Sequence, residues 1–423
     1  MQSIDTGSPS AAAAGLLPGR YARALFAYAV LLIYDLRQAV LDRWQIHVRR
    51  LHKKVLHESV GKRVEATPGR FAVVALYPTN DSLPFALNLL EALSTAGFWI
   101  LAVSTRQLSA TQLSEVQARV AHIIERANVG QDLGSYQYGV DWLRRHRQLD
   151  TADLLVLAND SMFYPKAITD ELRKMLENPS EWQSLFENHE FHYHAQSFFL
   201  MFRSPVLKSD AFWTFWQRYK PYSARVHAID KGELGLSQSL KKAGFVCEAA
   251  YSSSRFAAAL TEKTLSLEQI SEITPFGNQW DVSTRKVFSS AMELEASSAS
   301  PAQPDDVVLD AHALSESLSN VPDDHRRKRI EEKLSKFWSF WLVHQFETAN
   351  PTHSSALICN RLFIAPIKRD VCFRGVLGIH QTLRSATGFD PEELAAMNRD
   401  LRARSLGWRM SGTQRILFSK GRI

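Results

Sequence analysis

Two short polar stretches of this 423-residue chain carry side chains that could do chemistry. "ERANVGQDLGSYQYG" (125–139) spaces Arg126, Asn128, Gly130, Asp132 and Gly134 at alternate positions. An arginine can face a phosphate, and Asn128 and Asp132 can contact a base or a ribose. The two glycines permit tight turns and close approach of backbone to a ligand. No G-K-[ST] follows, and there is no G-x-G-x-x-G, so this is neither a Walker loop nor a dinucleotide fingerprint. "TADLLVLANDSMFYP" (151–165) ends its apolar run on Asn159, Asp160 and Ser161. That triplet has two readings: a ligand-binding rim, or a plain Asx-turn closing a strand.

The elements around these stretches decide where they sit. "FAVVALY" (71–77), "FWILAVS" (98–104), "AHII" (121–124) and "LLVLA" (154–158) read as strands. Helical stretches at 83–96, 109–120 and 135–147 alternate with them. That alternation predicts an open, mainly parallel α/β sheet flanked by helices. Such sheets bind ligands beyond the carboxyl ends of their strands. Asn80, Asp81, Asn128, Asp132, Asn159, Asp160 and Ser161 all fall there. Further on, "HAQSFFLMF" (194–202) and "FVCEAAY" (245–251) read as strands, and 209–219 and 231–244 as helices. The aromatic stripe Phe212, Trp213, Phe215 and Trp216 is expected in the core.

The bulk composition narrows the class. Hydrophobic residues make up 45% and charged residues 22%, an ordinary globular balance. The formal charge of +6 is too mild to call for nucleic acid and suits an acidic membrane surface or a phosphorylated substrate. The three cysteines have no C-x-x-C spacing, so a reducing cytosolic setting is expected. Residues 1–20 read as a flexible leader without a signal-peptide pattern. Residues 21–65 read as a basic amphipathic helical segment. Its uncharged run, Ala24 to Tyr34, would reach about 16 Å as a helix, half a bilayer core. Apolar Leu36, Val40, Leu41, Trp44, Val48 and Leu51 alternate with Arg37, Arg43, Arg49, Arg50, Lys53 and Lys54. That pattern fits peripheral membrane contact through 21–56 at the inner face, or a helix packed on the protein body. Residues 66–285 form the expected ligand-binding domain, 286–320 a linker, and 321–423 a C-terminal helical region.

The order of these features resembles nucleotide-sugar transferases of the GT-A type. In those enzymes an Asp-x-Asp element after a central strand holds a divalent cation against the donor's diphosphate. More specifically, four segments in order resemble the rhamnan synthesis protein F family. They are "RANVGQDLGSYQYG", "LLVLANDSMFYP", "HAQSFFLMFRSPVLKSDAFWTFW" and "GELGLSQSLKKAGF". "NPTH" (350–353) and "APIKRD" (365–370) look like the tail of related glycan-assembly proteins.

The resemblance implies transfer of a deoxyhexose, typically rhamnose from dTDP-L-rhamnose, to a lipid-linked or cell-surface glycan. It also implies the site. Arg126, Asn128, Gly130, Asp132 and Gly134 match the nucleotide-side loop. Asn159, Asp160 and Ser161 match an N-D-S element, His194, Gln196 and Ser197 an H-x-Q-S element, and Glu233 an acid before a late helix. Asp160 is then the contact for Mg²⁺ or Mn²⁺ or for the diphosphate itself. The triplet offers one carboxylate where Asp-x-Asp offers two, so Arg126 is the alternative source of positive charge. Glu233 is the candidate general base or a helix N-terminal acid. His194 is the rival base. Two departures from the family pattern, a glycine absent from "EWQSLFENHEFHYH" and Gly232 in place of a tyrosine, fall on the acceptor side. A non-catalytic glycan-assembly partner and a nucleotide hydrolase remain as alternatives.

Overall fold

The computed structural model describes residues 17–63, 65–78, 83–190, 192–262, 269, 324–374, 377–404 and 407–423. Asn80, Asp81, the linker and most of the leader lie outside them. The strands are β1 (Val55–Val60), β2 (Arg70–Leu76), β3 (Trp99–Ser104), β4 (His122–Arg126), β5 (Leu154–Asn159), β6 (Met162–Phe163), β7 (Trp182–Asn188), β8 (His194–Ala195), β9 (Phe199–Arg203), β10 (Cys247–Tyr251) and β11 (Ile367–Lys368). The main sheet runs β1-β4-β3-β2-β5-β9-β7-β10, with β8 beside β7. Its middle run, β4-β3-β2-β5, is parallel. β1 and β9 join antiparallel. This is the open α/β sheet the alternation predicted, with a mixed outer half.

Helices cover both faces, α3 (Ala110–Gln117) among them. β2 sends Ala72, Val74 and Leu76 into one core, with Phe85, Leu89 and Leu90 of α2 (Pro84–Thr95). It sends Phe71, Val73 and Ala75 into the other, with Tyr136, Val140 and Leu143 of α4 (Gln131–Arg145). Every residue of β5 is buried because both its faces are covered, and a doubly covered parallel strand reads as an unbroken apolar run. The aromatic stripe goes mostly where expected: Phe212, Phe215 and Trp216 of the helix Asp210–Arg218 are core residues, while Trp213 is half-buried at the edge of that cluster.

Four boundaries differ from the sequence reading. First, 55–60 is a strand, not part of a helical segment. It extends the sheet by pairing with β4, so the ligand-binding unit begins before residue 66. Second, 182–188 forms β7, whose seven buried residues include Gln183, Ser184, Glu187 and Asn188, and that polarity hides it. Third, 194–202 is two strands split by a turn at 196–198. Fourth, the C-terminal residues are not a separate helical region. Leu357, Ile358, Cys359 and Ile367 share one core cluster with Phe163 and Tyr251, and β11 pairs antiparallel with β6, Ile367 opposite Phe163 and Lys368 opposite Met162.

The N-terminal helix α1 runs Leu17–Arg43 and continues as a π turn, Trp44–Val48. The helical stretch is thus much longer than the uncharged eleven-residue run within it. By length and apolarity alone, Tyr21–Val48 is long enough to cross a membrane. Leu25, Phe26, Tyr28, Leu32, Ile33, Leu36 and Val40 stand exposed along it. It is anchored near its carboxyl end, where buried Asp42 accepts the backbone N–H groups of Ser223 (2.9 Å) and Ala224 (3.3 Å). Asp35 meets Arg422 in a two-pronged ion pair at 2.8 Å.

Candidate functional site

The loop after β4 leads straight into α4, which begins at Gln131 rather than near 135. Asp132 therefore lies in the first helical turn and Gly134 inside the helix. Arg126 has no exposed surface. Its guanidinium donates to the Val129 carbonyl (3.1 Å) and to Ser135 Oγ (3.3 Å). Burial pulls its pKa down to about 10. The side chain that could have met a phosphate instead braces its own loop from within. Gly130 has φ +80°, and a Cβ there would meet Pro221 at 2.6 Å. A Cβ on Gly134 would stand 2.7 Å from the Val129 carbonyl oxygen. Chain packing alone requires both glycines. Asn128 is exposed at the surface.

The Asn159–Ser161 turn faces the same way as Asp132. Asn159 Oδ1 accepts from the backbone N–H and the hydroxyl of Ser161, at 3.0 and 2.6 Å. This is the Asx-turn geometry. Asn159 Nδ2 donates to Asp132 Oδ2 at 2.7 Å, so turn and rim are one device. Asp160 Oδ2 accepts the backbone N–H of Tyr77 at 2.9 Å and lies 3.7 Å from the Arg369 guanidinium. Arg369 also donates to the Asp160 carbonyl (3.0 Å), its backbone N–H to that of Ser161 (3.0 Å), and it grips Asp400 with two bonds at 3.0 and 2.6 Å. Burial works against the Arg369 charge, but these carboxylates raise its pKa.

Glu233 closes a π turn, Ala228–Glu233, that runs without a break into the helix Leu234–Lys242. It is therefore not a helix N-terminal acid. Its Oε1 accepts the Ser197 hydroxyl (2.6 Å) and the Ser197 backbone N–H (3.1 Å). Its Oε2 stands 3.9 Å from His194 Nε2. His194 Nδ1 donates to the His192 carbonyl at 2.8 Å, which turns Nε2 toward Glu233. The 196–198 turn is held from below: Tyr136 donates to the Ser197 carbonyl (2.8 Å) and Tyr164 to that of Phe198 (3.0 Å). Gln196 turns away and donates to Asn350 Oδ1 at 2.9 Å.

Asp132, Asp160 and Glu233 thus converge from three separate segments. Asp132 records the crowding. Enclosure of its carboxylate, then the nearby Asp160 charge, lift its pKa to about 7; Glu233 adds to the rise and Lys368 opposes it. Burial also raises the Asp160 pKa, against the pull of Arg369 and the Tyr77 N–H. Of the residues singled out from sequence, Asp132, Asn159, Asp160, Ser161, His194, Ser197 and Glu233 share one rim. Arg126, Asn128 and Gln196 do not present their side chains to it, and Asp81 lies outside the described residues.

Tyr77, Asn350, Lys368 and Arg369 were not singled out. The last three lie in or beside "NPTH" and "APIKRD", whose presence was the available signal. The fold joins those two fragments: His353 Nε2 meets Asp370 Oδ1 at 2.9 Å, and Asn350 caps the turn Pro351–Ser354.

The carboxylates open to the divalent cation expected at Asp160 are already partly engaged. A cation of the Mg²⁺ kind takes one or two carboxylates together with the donor's phosphates. Asp160 Oδ2 is held by Tyr77 and neutralised by Arg369, and Asp132 Oδ2 is held by Asn159. Among the described residues no three His, Cys, Asp or Glu side chains are placed to hold a metal ion.

This site sits largely within one segment that matches a known family. Residues 100–273 match the rhamnan synthesis protein F family. The rhamnan synthesis protein F match takes in Asp132, Asp160, His194 and Glu233 and stops short of the C-terminal strand. It agrees with the resemblance carried by the four sequence motifs. The chain is also 25% identical over 222 residues to y4gN, an uncharacterized protein of Sinorhizobium fredii. That alignment covers 50% of this chain and 56% of y4gN, so the chain spans about half the length of that relative. Among solved structures, a mannosyltransferase of Pyrobaculum calidifontis, solved with GDP-mannose and Mn²⁺, aligns with a TM-score of 0.29 and 9% identity. The alignment covers 76% of this chain and 97% of that one.

Proposed function

We propose that this protein is a glycosyltransferase that moves a deoxyhexose, with rhamnose from dTDP-L-rhamnose as the first candidate donor, onto a glycan or lipid-linked acceptor. The observation that carries this reading is the convergence of Asp132, Asp160 and Glu233 at the carboxyl-end rim of the parallel strands, tied by the Asn159–Asp132 bond and by the chain Tyr136–Ser197–Glu233, where α/β sheets bind ligands. Glu233 is the general base. Ser197 fixes one of its oxygens, leaving Oε2 to take the acceptor's hydroxyl proton. The acceptor oxygen then bonds to the anomeric carbon, and the carbon–oxygen bond to the diphosphate breaks. The bonding pair leaves with the nucleoside diphosphate. Asp132 receives a sugar or ribose hydroxyl, and His194 positions Glu233.

A second reading exchanges the roles of the two acids. A carboxylate titrating near 7 suits a general base at neutral pH. It predicts an activity limb near pH 7 that Asp132→Asn removes. The exposed apolar stripe of α1, with the cations that follow it, supports peripheral attachment to an anionic inner membrane surface. Co-sedimentation with anionic vesicles tests this. Loss of pelleting in a Leu32→Ser/Leu36→Ser variant supports it, and an equal result for wild type and variant contradicts it.

A thermal-shift panel of dTDP-, UDP- and GDP-sugars tests the transferase reading, because a ligand that binds only the folded state raises the melting point. A clear rise with dTDP-L-rhamnose is expected. No rise with any donor would favour a non-catalytic glycan-assembly partner.

A further inference from the structure

The rim is heavily acidic, and a sugar leaving as a nucleoside diphosphate adds more negative charge. Something cationic has to face that group. Neither candidate read from the sequence is well placed: Arg126 is sealed beneath its loop, and the carboxylates that would hold a divalent cation already engage Tyr77, Arg369 and Asn159. Arg369 is held two-pronged by Asp400 and backs Asp160 from behind.

Lys368 is different. β11 places it opposite Met162, one residue past the Asn159–Ser161 turn. Its neighbour Ile367 is fully buried, while Lys368 keeps partial exposure, as alternation along a strand requires. Its ammonium lies 5.3 Å over the ring of Phe198, the residue after Ser197. It makes no hydrogen bond or ion pair among the described residues, yet acts electrostatically on Asp132 and Asp370. A strongly hydrated point charge that faces an aromatic ring and forms no ion pair among the described residues is free to meet an incoming phosphate.

We propose that Lys368, delivered by the C-terminal strand pairing with β6, is the cation that binds the donor's diphosphate in place of a metal ion. This deepens the transferase reading and rests on it. It also gives the docked "NPTH" and "APIKRD" fragments a purpose. Asn350 ties to Gln196, His353 to Asp370, and Arg369 to the Asp160 backbone. Together they fix the strand that carries Lys368 at the rim.

The test is titration calorimetry of the full chain with dTDP and with thymidine, in EDTA and in Mn²⁺, for wild type, Lys368→Gln and Lys368→Arg. Melting curves confirm that each variant folds. Wild type is expected to bind dTDP equally in EDTA and Mn²⁺. Lys368→Gln should weaken dTDP about tenfold or more and leave thymidine unchanged, since a lost phosphate contact spares the nucleoside. Lys368→Arg should stay within about threefold of wild type, because a guanidinium also binds phosphate. A merely structural lysine would alter both ligands alike. dTDP binding by Lys368→Gln equal to wild type, or wild-type binding that requires Mn²⁺, overturns this inference alone. No dTDP binding by wild type in either condition overturns the dTDP-sugar donor reading with it, and no binding of UDP or GDP either overturns the transferase reading.

Discussion

The loop at 126–134 and the turn at 159–161 both follow parallel strands, and both are built from arginine, asparagine, aspartate, glycine or serine. They use those residues oppositely. The first turns its cation inward: Arg126 holds Val129 and Ser135, and Gly130 makes room for Pro221. The second ties its buried polar groups to other segments, Asn159 to Asp132 and Asp160 to Tyr77, and the cation beside it comes from more than 200 residues away, through Arg369 and Asp160. Residue type does not decide whether a polar loop binds a ligand or supports itself. What decides is whether the side chain's hydrogen bonds close within the loop.

Three substitutions can break or sharpen that contrast. The largest effect is expected at the rim. Glu233→Gln should lower transfer about 10²–10⁴-fold, the usual contribution of a general base, with the melting point nearly unchanged because a glutamine oxygen still accepts from Ser197. A variant with undiminished transfer would remove Glu233 from the chemistry. Next comes Arg126→Ala, which should cost about 2–4 kcal/mol of stability by opening a cavity and freeing the Val129 carbonyl. Denaturant unfolding measures that cost, and the fraction still folded should bind dTDP normally. An unchanged midpoint with weakened dTDP binding would place Arg126 at the ligand after all.

The smallest effect belongs to Asp132→Asn. The folded-state pKa of Asp132 is about 7, above the ordinary value near 3.9. The native state therefore keeps a proton that the unfolded chain gives up. Stability from this group is full below about pH 4 and declines as pH rises to about 7. An asparagine at this position cannot ionise, so the variant should melt a few degrees higher than wild type at pH 8 and match it near pH 4. Parallel melting curves across that range would show that the Asp132 carboxylate is not crowded.

The sheet's middle run was readable because β2, β3 and β5 are unbroken apolar segments between helices. β1 was hidden by its exposure: Val55, Leu56 and Val60 of this edge strand face solvent, so no alternation marks a core face. β7 was hidden by buried polar residues whose partners lie far away, such as Glu187 accepting from the Ser253 backbone N–H. At the site, Asp132 and Asp160 were readable from their places after strands and Glu233 through the family resemblance, but the direction of Arg126 was not, since nothing local distinguishes an arginine that points in from one that points out. Lys368 could be identified only once β11 was seen against β6. Sequence spacing says nothing about a pairing between residues 162 and 368.

Hydrogen–deuterium exchange on the full chain with and without dTDP-L-rhamnose addresses the shared rim most directly. Protection should rise together at 131–136, 159–164, 195–199 and 366–370. Protection confined to other surfaces, or absent at saturating donor, would contradict the claim that these four segments form one donor site.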